Sequence, residues 1–186
     1  RCTFCAFRAD LREARGYVMG DEQILARGQE AVDAGSTEMH IVGGLHHQKK
    51  YEWYVNLVRI LHEAYPELHL KAWTAVEWDW FERLTGRPTK EIIADMKDAG
   101  LGSLPGGGAE IFRKEVRSAI AKGKESAEEY LDVHRTWHKL GGRSTCTMLF
   151  GHVESLADRV DHLRQLRALQ DETKGFVGFV PLAYQP

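Results

Sequence analysis

Two cysteines three positions apart carry the first chemistry in this chain, in Cys2-Thr3-Phe4-Cys5. At this C-x-x-C spacing two thiolates can grip one metal ion or one corner of an iron–sulfur cluster. Zinc takes four ligands, and neither a second C-x-x-C nor a suitably spaced histidine pair follows. A thioredoxin-like redox pair sits between a strand and a helix, whereas here a charged loop, Arg8 to Gly20, precedes the first helical pattern. On these two residues alone the cluster, zinc and redox readings all stay open.

Further along, Gly43-Gly44 follows a strand-like run and leaves backbone unobstructed for a ligand, although a tight turn uses the same pair. Pro105-Gly106-Gly107-Gly108 looks like a phosphate loop but matches neither G-x-G-x-x-G nor G-x-x-x-x-G-K-[ST]. Loop flexibility or close approach to a substrate is the better reading. His152-Val153-Glu154 has the H-x-E form of zinc deaminases, which require a P-C-x-x-C downstream; here the C-x-x-C lies far upstream. His134 and His138 are one turn apart without the glutamate of H-E-x-x-H, and read as surface or core-edge histidines. Cys146, between Thr145 and Thr147, reads as a small buried apolar residue.

The elements that must position these residues alternate. Helical patterns are expected from an Asp21 N-cap to Ala34, with Ile24, Leu25, Gly28, Ala31 and Val32 on one face, and over 51–64, 89–99, 113–121, 127–140 and 155–172. In the last of these Leu156, Val160, Leu163, Leu166 and Leu169 predict packing against a sheet. Strands are expected near 37–42, 68–74, 101–104, 144–149 and 176–182. Such alternation predicts a parallel sheet with right-handed crossovers, doubly wound or a (β/α) barrel, with chemistry at the C-terminal strand ends. Those ends read Gly43-Gly44-Leu45-His46, Thr74-Ala75-Val76-Glu77, Pro105 to Glu110, and Gly151-His152-Val153-Glu154, so four consecutive strands deliver glycines or polar groups to one rim.

Composition narrows the class. The 186 residues fit one domain, 1–186, and a chain of that length buries roughly 70% of its unfolded surface. Lys+Arg 25 against Asp+Glu 27 leaves net −2, which gives no basic field for nucleic acid. No apolar run approaches the roughly 20 residues that span a bilayer, so no membrane partner is expected. Arg8, Asp10, Arg12 and Glu13 interrupt any signal-peptide core. Three cysteines make no paired disulfide framework, which points to a reducing, cytoplasmic setting. The chain opens at Arg1 and closes at Pro186 directly after an apolar run, as expected of an internal fragment truncated at both ends.

Taken together these residues resemble the radical S-adenosylmethionine (SAM) enzymes, whose signature is C-x-x-x-C-x-aromatic-C; Cys2-Thr3-Phe4-Cys5 matches its last four positions. Within that superfamily the chain is most similar to the aminofutalosine synthase family of the futalosine route to menaquinone. The blocks that carry this are Glu38 to His46 (EMHIVGGLH), Lys71 to Glu77 (KAWTAVE), Leu104 to Phe112 (LPGGGAEIF), Thr147 to Glu154 (TMLFGHVE) and Gln170 to Tyr184 (QDETKGFVGFVPLAY). Two sister families, the cyclic dehypoxanthine futalosine synthases and the deazaflavin F0 synthases, share much of the pattern. His47 departs from it, standing where proline is expected. From another class, a non-catalytic zinc-binding (β/α) module using Cys2 and Cys5 is the alternative.

The resemblance implies an α/β fold, a partial (β/α) TIM-like barrel of the radical SAM type, with the first strand and the C-terminal part missing. It implies a [4Fe–4S] cluster with Cys2 and Cys5 as two of three thiolate ligands, and SAM as co-substrate chelating the open iron. A one-electron donor such as flavodoxin or ferredoxin is implied as partner. The family's reaction adds the 5′-deoxyadenosyl radical to the enol ether of 3-[(1-carboxyvinyl)oxy]benzoate, a small dianion, whereas the cyclase sister abstracts hydrogen. By the same resemblance Gly43 and Gly44 contact the cofactor, and Phe4 suits packing beside it; from strand-end position alone Glu77 is a further cofactor contact, and His152 and Glu77 are candidate catalytic residues. Gly106, Gly107, Gly108, Glu110, His152 and Glu154 are candidate substrate contacts; Glu77, Glu110 and Glu154 are alternatively helix caps. Gly43, Gly44, Glu77, Gly107, His152 and Glu154 are expected to share one rim with Cys2 and Cys5. Cys146 is set back from Gly151 by roughly 15 Å at about 3.3 Å per residue, too far to ligate iron at that rim.

Overall fold

A computed structural model describes residues 2–9 and 13–185. Asp10 and Arg12 of the charged loop, and both terminal residues, lie outside them. Five strands form one sheet, β1 (Glu38–Ile41), β2 (His69–Ala72), β3 (Ser103–Leu104), β4 (Arg143–Phe150) and β5 (Phe176–Ala183). Every neighbouring pair is parallel and the spatial order is the chain order, β1-β2-β3-β4-β5. A doubly wound sheet reverses direction at a switch point; this sheet does not, and is a partial (β/α) barrel.

Seven helices are described: α1 (Asp21–Asp33), α2 (Tyr51–Ala64), α3 (Ala75–Thr85), α4 (Thr89–Asp98), α5 (Lys114–Ile120), α6 (Ala127–Lys139) and α7 (Leu156–Thr173). α2 has the expected bounds, because Tyr54, Leu57, Val58 and Leu61 form one buried face and Pro66 follows its end. The main core lies where α2, α3, α4 and α6 cover the sheet, around Trp73, Trp78, Phe81, Ile92, Met96 and Trp137.

Several boundaries differ from expectation. The expected strand 68–74 ends at Ala72, and Thr74 with Glu77 caps a further helix, α3, in line with the helix-cap alternative for Glu77. Trp73 makes the turn between them at φ +62°, and its carbonyl accepts the Trp78 indole N–H at 2.9 Å. β3 spans two residues rather than four: the Gly102 N–H still donates to Leu70 O at 2.9 Å, and Pro105, without an N–H, ends the ladder. α1 is capped by Gly20, whose N–H donates to Gln23 Oε1 at 3.1 Å, so Asp21 is the first helical residue instead of the cap. Of the five residues expected on its inner face, Ile24 and Gly28 are buried and Val32 is exposed.

Two further expectations are corrected. Leu156, Val160 and Leu163 of α7 are exposed; the helix meets its neighbours through His162, Leu166 and Leu169. His134 and His138 are buried, not superficial, because both imidazoles find a hydroxyl on β4: His134 Nδ1 and His138 Nε2 lie 2.9 and 2.7 Å from Ser144 Oγ. Cys146 is buried in β4 as expected, its thiol directed at Gly178 O at 3.6 Å and pushed up to about 12 by burial.

Candidate functional site at the strand ends

The cysteine segment lies against the connection between β3 and α6. Cys2 forms an isolated antiparallel bridge with Ala121, and the Thr3 N–H and hydroxyl both donate to Ile120 O, at 3.0 and 3.2 Å. Cys2 and Phe4 pack onto a small apolar cluster of Ile111, Val116, Ile120 and Ala121 with Met148 and Leu149 of β4; Phe150 and Tyr184 join it. Cys2 is half-buried and Cys5 exposed, and both thiols are free. Burial raises the Cys2 pKa, and the nearby Lys124 ammonium opposes that rise.

From β1 and β2 come Gly43, Gly44 and Glu77. The Glu77 carboxylate is buried and joins two strand ends: Oε1 accepts the Gly43 N–H at 2.8 Å and Oε2 the Thr74 N–H at 2.7 Å and its hydroxyl at 2.5 Å. Burial raises its pKa, while these donors and the Lys124 charge act in the other direction. Thr74-x-x-Glu77 is thus a capping box that also reaches across to β1. A side chain added at Gly44 would meet nothing within 4 Å, so the protein's own packing does not require glycine there.

The three glycines after β3 differ in what they leave free. Gly106 is pressed onto β4, where an added Cβ would lie 2.5 Å from Cys146 Cα. Its N–H donates to Thr145 Oγ1 at 3.0 Å, and its carbonyl accepts Tyr130 OH and Thr147 Oγ1 at 2.9 and 2.7 Å. Its donor is therefore engaged within the protein; Gly108 is buried against Glu125 and Val76, and Gly107 alone of the three is half-exposed. Gly108 (φ +101°) and Glu110 (φ +42°) are left-handed, and buried Arg117 holds this turn by donating to Gly108 O at 3.1 Å and to Ala109 O. The same guanidinium reaches Glu125 O at 2.6 Å and Glu125 Oε1 at 3.3 Å. Glu125 Oε2 is buried without a partner, and burial pushes this carboxyl up to about 7 against the pull of Lys124 and Arg117. Lys124 Nζ donates to Glu110 Oε1 and lies 5.9 Å from the centre of the Phe4 ring.

After β4 the loop folds around Glu154, whose side chain is fully buried. Burial by itself would raise this carboxyl, but the N–H groups of Gly151 and His152, at 2.6 and 2.9 Å, and Arg159 outweigh it and hold the pKa at about 2. His152 Nε2 lies 2.9 Å from Leu149 O, which as a pure acceptor fixes the proton on Nε2. Its Nδ1 lies 3.2 Å from Glu154 Oε2, close enough for an ion pair but without hydrogen-bond alignment. The ring meets Tyr184 edge-on at 6.2 Å, which connects it to the apolar cluster under Cys2 and Phe4.

The structure therefore links Cys2, Phe4 and Glu110 through Lys124, Gly43 with Glu77, and His152 with Glu154. Lys124, Arg117 and Glu125 were not singled out in the sequence; they belong to no spacing motif, and adjacent opposite charges at 124 and 125 are ordinary on a surface. For an iron–sulfur cluster the donor set fits in part. Both thiols are free, and that of Cys2 stands near the Lys124 cation. Among the described residues no group of three or more His, Cys, Asp or Glu side chains could hold a metal ion. Among the described residues, no helix is long and apolar enough to cross a membrane.

A family profile described as the Radical SAM superfamily matches residues 1–166. An aminodeoxyfutalosine synthase of Thermus thermophilus is 45% identical over 185 residues, covering 100% of this chain and 50% of that protein. A 5-amino-6-(D-ribitylamino)uracil–L-tyrosine 4-hydroxyphenyl transferase of Methanopyrus kandleri is 39% identical over 99% of this chain and 50% of its own. A cyclic dehypoxanthine futalosine synthase of Halalkalibacterium halodurans is 34% identical over 100% of this chain and 50% of its own. The chain thus spans about half the length of the curated relatives it matches.

Proposed function

The chain belongs to the radical SAM superfamily, and from that premise we propose that it forms the core of an enzyme transferring the adenosyl group of SAM to 3-[(1-carboxyvinyl)oxy]benzoate. The product is 6-amino-6-deoxyfutalosine, on the route to menaquinone. The observation that carries this reading is the seating of the C-x-x-C segment against the Lys124–Glu110 pair beside the strand ends. The similarity to aminodeoxyfutalosine synthases supports the choice of substrate.

Cys2 and Cys5 would hold two corners of a [4Fe–4S] cluster, with a third thiolate from outside the described residues. When bound, that cluster supplies the single electron that splits SAM to methionine and a 5′-deoxyadenosyl radical. The protein binds, orients and excludes water. Phe4 packs beside the cysteines, and Gly43-Gly44 admits the methionine moiety. Glu77 holds the Gly43 amide in place, which makes it a positioning residue in this reading. The left-handed turn at Gly108 turns Glu110 toward Lys124, where its second oxygen can take a sugar hydroxyl. Of the three glycines after β3, the half-exposed Gly107 is the one offered to the acceptor dianion. His152 is held by Glu154 and the Leu149 carbonyl, with its ring against Tyr184. A flavodoxin or ferredoxin in a reducing cytoplasm is the donor that fits this chemistry.

The test uses the full-length protein, reconstituted with iron and sulfide without oxygen and supplied with SAM and dithionite. Separate incubations receive 3-[(1-carboxyvinyl)oxy]benzoate, dehypoxanthine futalosine, or the ribitylaminouracil with tyrosine. An adduct carrying the adenosyl group, formed with the first compound and without matching release of 5′-deoxyadenosine, is the expected result. Turnover with either of the others, accompanied by 5′-deoxyadenosine, assigns a sister reaction. Stoichiometric zinc with no brown absorbance and no turnover would leave a binding module.

A further inference from the structure

The described polar contacts that tie residues 2–4 to the barrel all end on one short stretch, 120–124. The Cys2 bridge goes to Ala121, both Thr3 donors go to Ile120, and the Phe4 ring lies under Lys124. That stretch is itself preset. Arg117 caps the carbonyls of Gly108, Ala109 and Glu125 from one planar guanidinium, and so fixes the neighbours of both Glu110 and Lys124. Glu110 and Lys124 then meet as an ion pair with side chains only 7% and 14% exposed. The Glu110 carboxylate thus keeps the Lys124 ammonium paired in a largely desolvated place.

We propose that Lys124 is a positioning residue for the cysteine segment: its ammonium, aimed by the Arg117 clamp and paired with Glu110, holds the Phe4 ring and thereby sets where both thiols stand before any metal binds. Phe4 lies between the two cysteines, so a ring fixed on the rim restricts the backbone on either side of it. An ammonium facing an aromatic ring in a largely desolvated place attracts it more strongly than at the surface. The proposal concerns the metal-free chain and stands or falls apart from the reaction proposed above.

Removing the ammonium alone would strand the buried Glu110 carboxylate and could unfold the site. The informative variant is therefore the double one, Glu110→Gln with Lys124→Met, which leaves a neutral pair of similar shape; Lys124→Arg retains the cation and its attraction to the ring. Amide hydrogen exchange is read at Thr3, whose N–H is bonded to Ile120 O at 3.0 Å, and at Val58 in the core as the control for global opening. The expected result is exchange about five- to tenfold faster at Thr3 in the double variant, the size of a partly desolvated cation–π contact. Val58 should stay within about twofold, and Lys124→Arg should return Thr3 to within about twofold of the parent. Unchanged exchange at Thr3 in the double variant overturns the proposal. So does equal acceleration at Thr3 and Val58, which would mean that the pair only holds the fold, or a Lys124→Arg chain as loose as the double variant.

Discussion

Glu77 Oε1 accepts the Gly43 N–H at 2.8 Å, so a carboxylate in the first turn of α3 grips the end of β1 while its other oxygen caps its own helix. The strand end carrying Gly43-Gly44 is thereby set by a residue 34 positions away.

Glu77→Gln should therefore destabilise the chain. A carboxylate offers only acceptors to three donors, whereas an amide must turn one N–H toward them. A loss of about 1–3 kcal/mol is expected, the cost of unmaking charge-assisted bonds in a buried place. Urea denaturation of the two chains measures it, and equal midpoints would refute the linking role.

The glycines should separate by what surrounds them. Gly106→Ala puts a methyl 2.5 Å from the Cys146 backbone, which cannot swing aside, and should cost about 1–3 kcal/mol or more. Gly44→Ala meets nothing and should leave thermal stability within about 0.5 kcal/mol of the parent. If Gly44 serves the ligand, its variant in the full-length enzyme should instead bind SAM more weakly in calorimetry, with no loss of fold.

The histidines around β4 predict acid sensitivity. Thr173 Oγ1 donates to Leu169 O, so it accepts from His138 Nδ1–H at 2.8 Å. His138 Nε2 then accepts from Ser144, and Ser144 accepts from His134 Nδ1–H. Nitrogen NMR should find both imidazoles neutral and protonated on Nδ1 at pH 7. Burial lowers His134 to about 3 and His138 and His162 to about 4, against 6.5 when exposed. The unfolded chain thus takes up these protons first. Their contribution is fully present above pH 6.5 and is lost as pH falls through 4 toward 3. Between pH 6 and 4 stability therefore falls as pH falls, because the unfolded chain binds more protons than the folded one. Denaturation midpoints at pH 7.5 and 4.5 test this, and a flat profile would contradict the buried placement.

Glu154 should act in the same direction at lower pH. Its carboxyl, held at about 2 against 4.5, contributes stability above pH 4.5 that disappears as pH falls through 2. Glu154→Gln removes that part of the pH dependence and frees the Gly151 and His152 amides. Hydrogen exchange at these two amides should accelerate by at least about tenfold, given the strength of charge-assisted bonds. Unchanged exchange would show that the loop is held by other contacts.

Much of the frame was legible in the sequence, because it rests on local patterns. The face of α2 and its stop before Pro66, the apolar runs of β4 and β5, and the alternation of helix with strand are all set by residues within a few positions of each other. α3 carried a readable signal as well: Thr74-x-x-Glu77 before Trp78 and Phe81 is a capping box, which agrees with the helix-cap alternative for Glu77. The cysteine pair, Gly43-Gly44 and the strand-end blocks were visible as motifs. What each one touches was decided only in three dimensions. Glu77, a candidate cofactor contact, holds the Gly43 and Thr74 amides, and Gly106, a candidate substrate contact, gives its N–H to Thr145. His134 and His138 are polar letters on an amphipathic helix, and become core residues only because Ser144 on another element meets both rings. Lys124, Arg117 and Glu125 have no pattern of their own, since the desolvation and pairing that distinguish them arise when residues 110–125 fold back on themselves and receive Phe4. Periodicity along a chain specifies which elements form, but charge burial and hydrogen-bond partnership depend on what comes near from elsewhere.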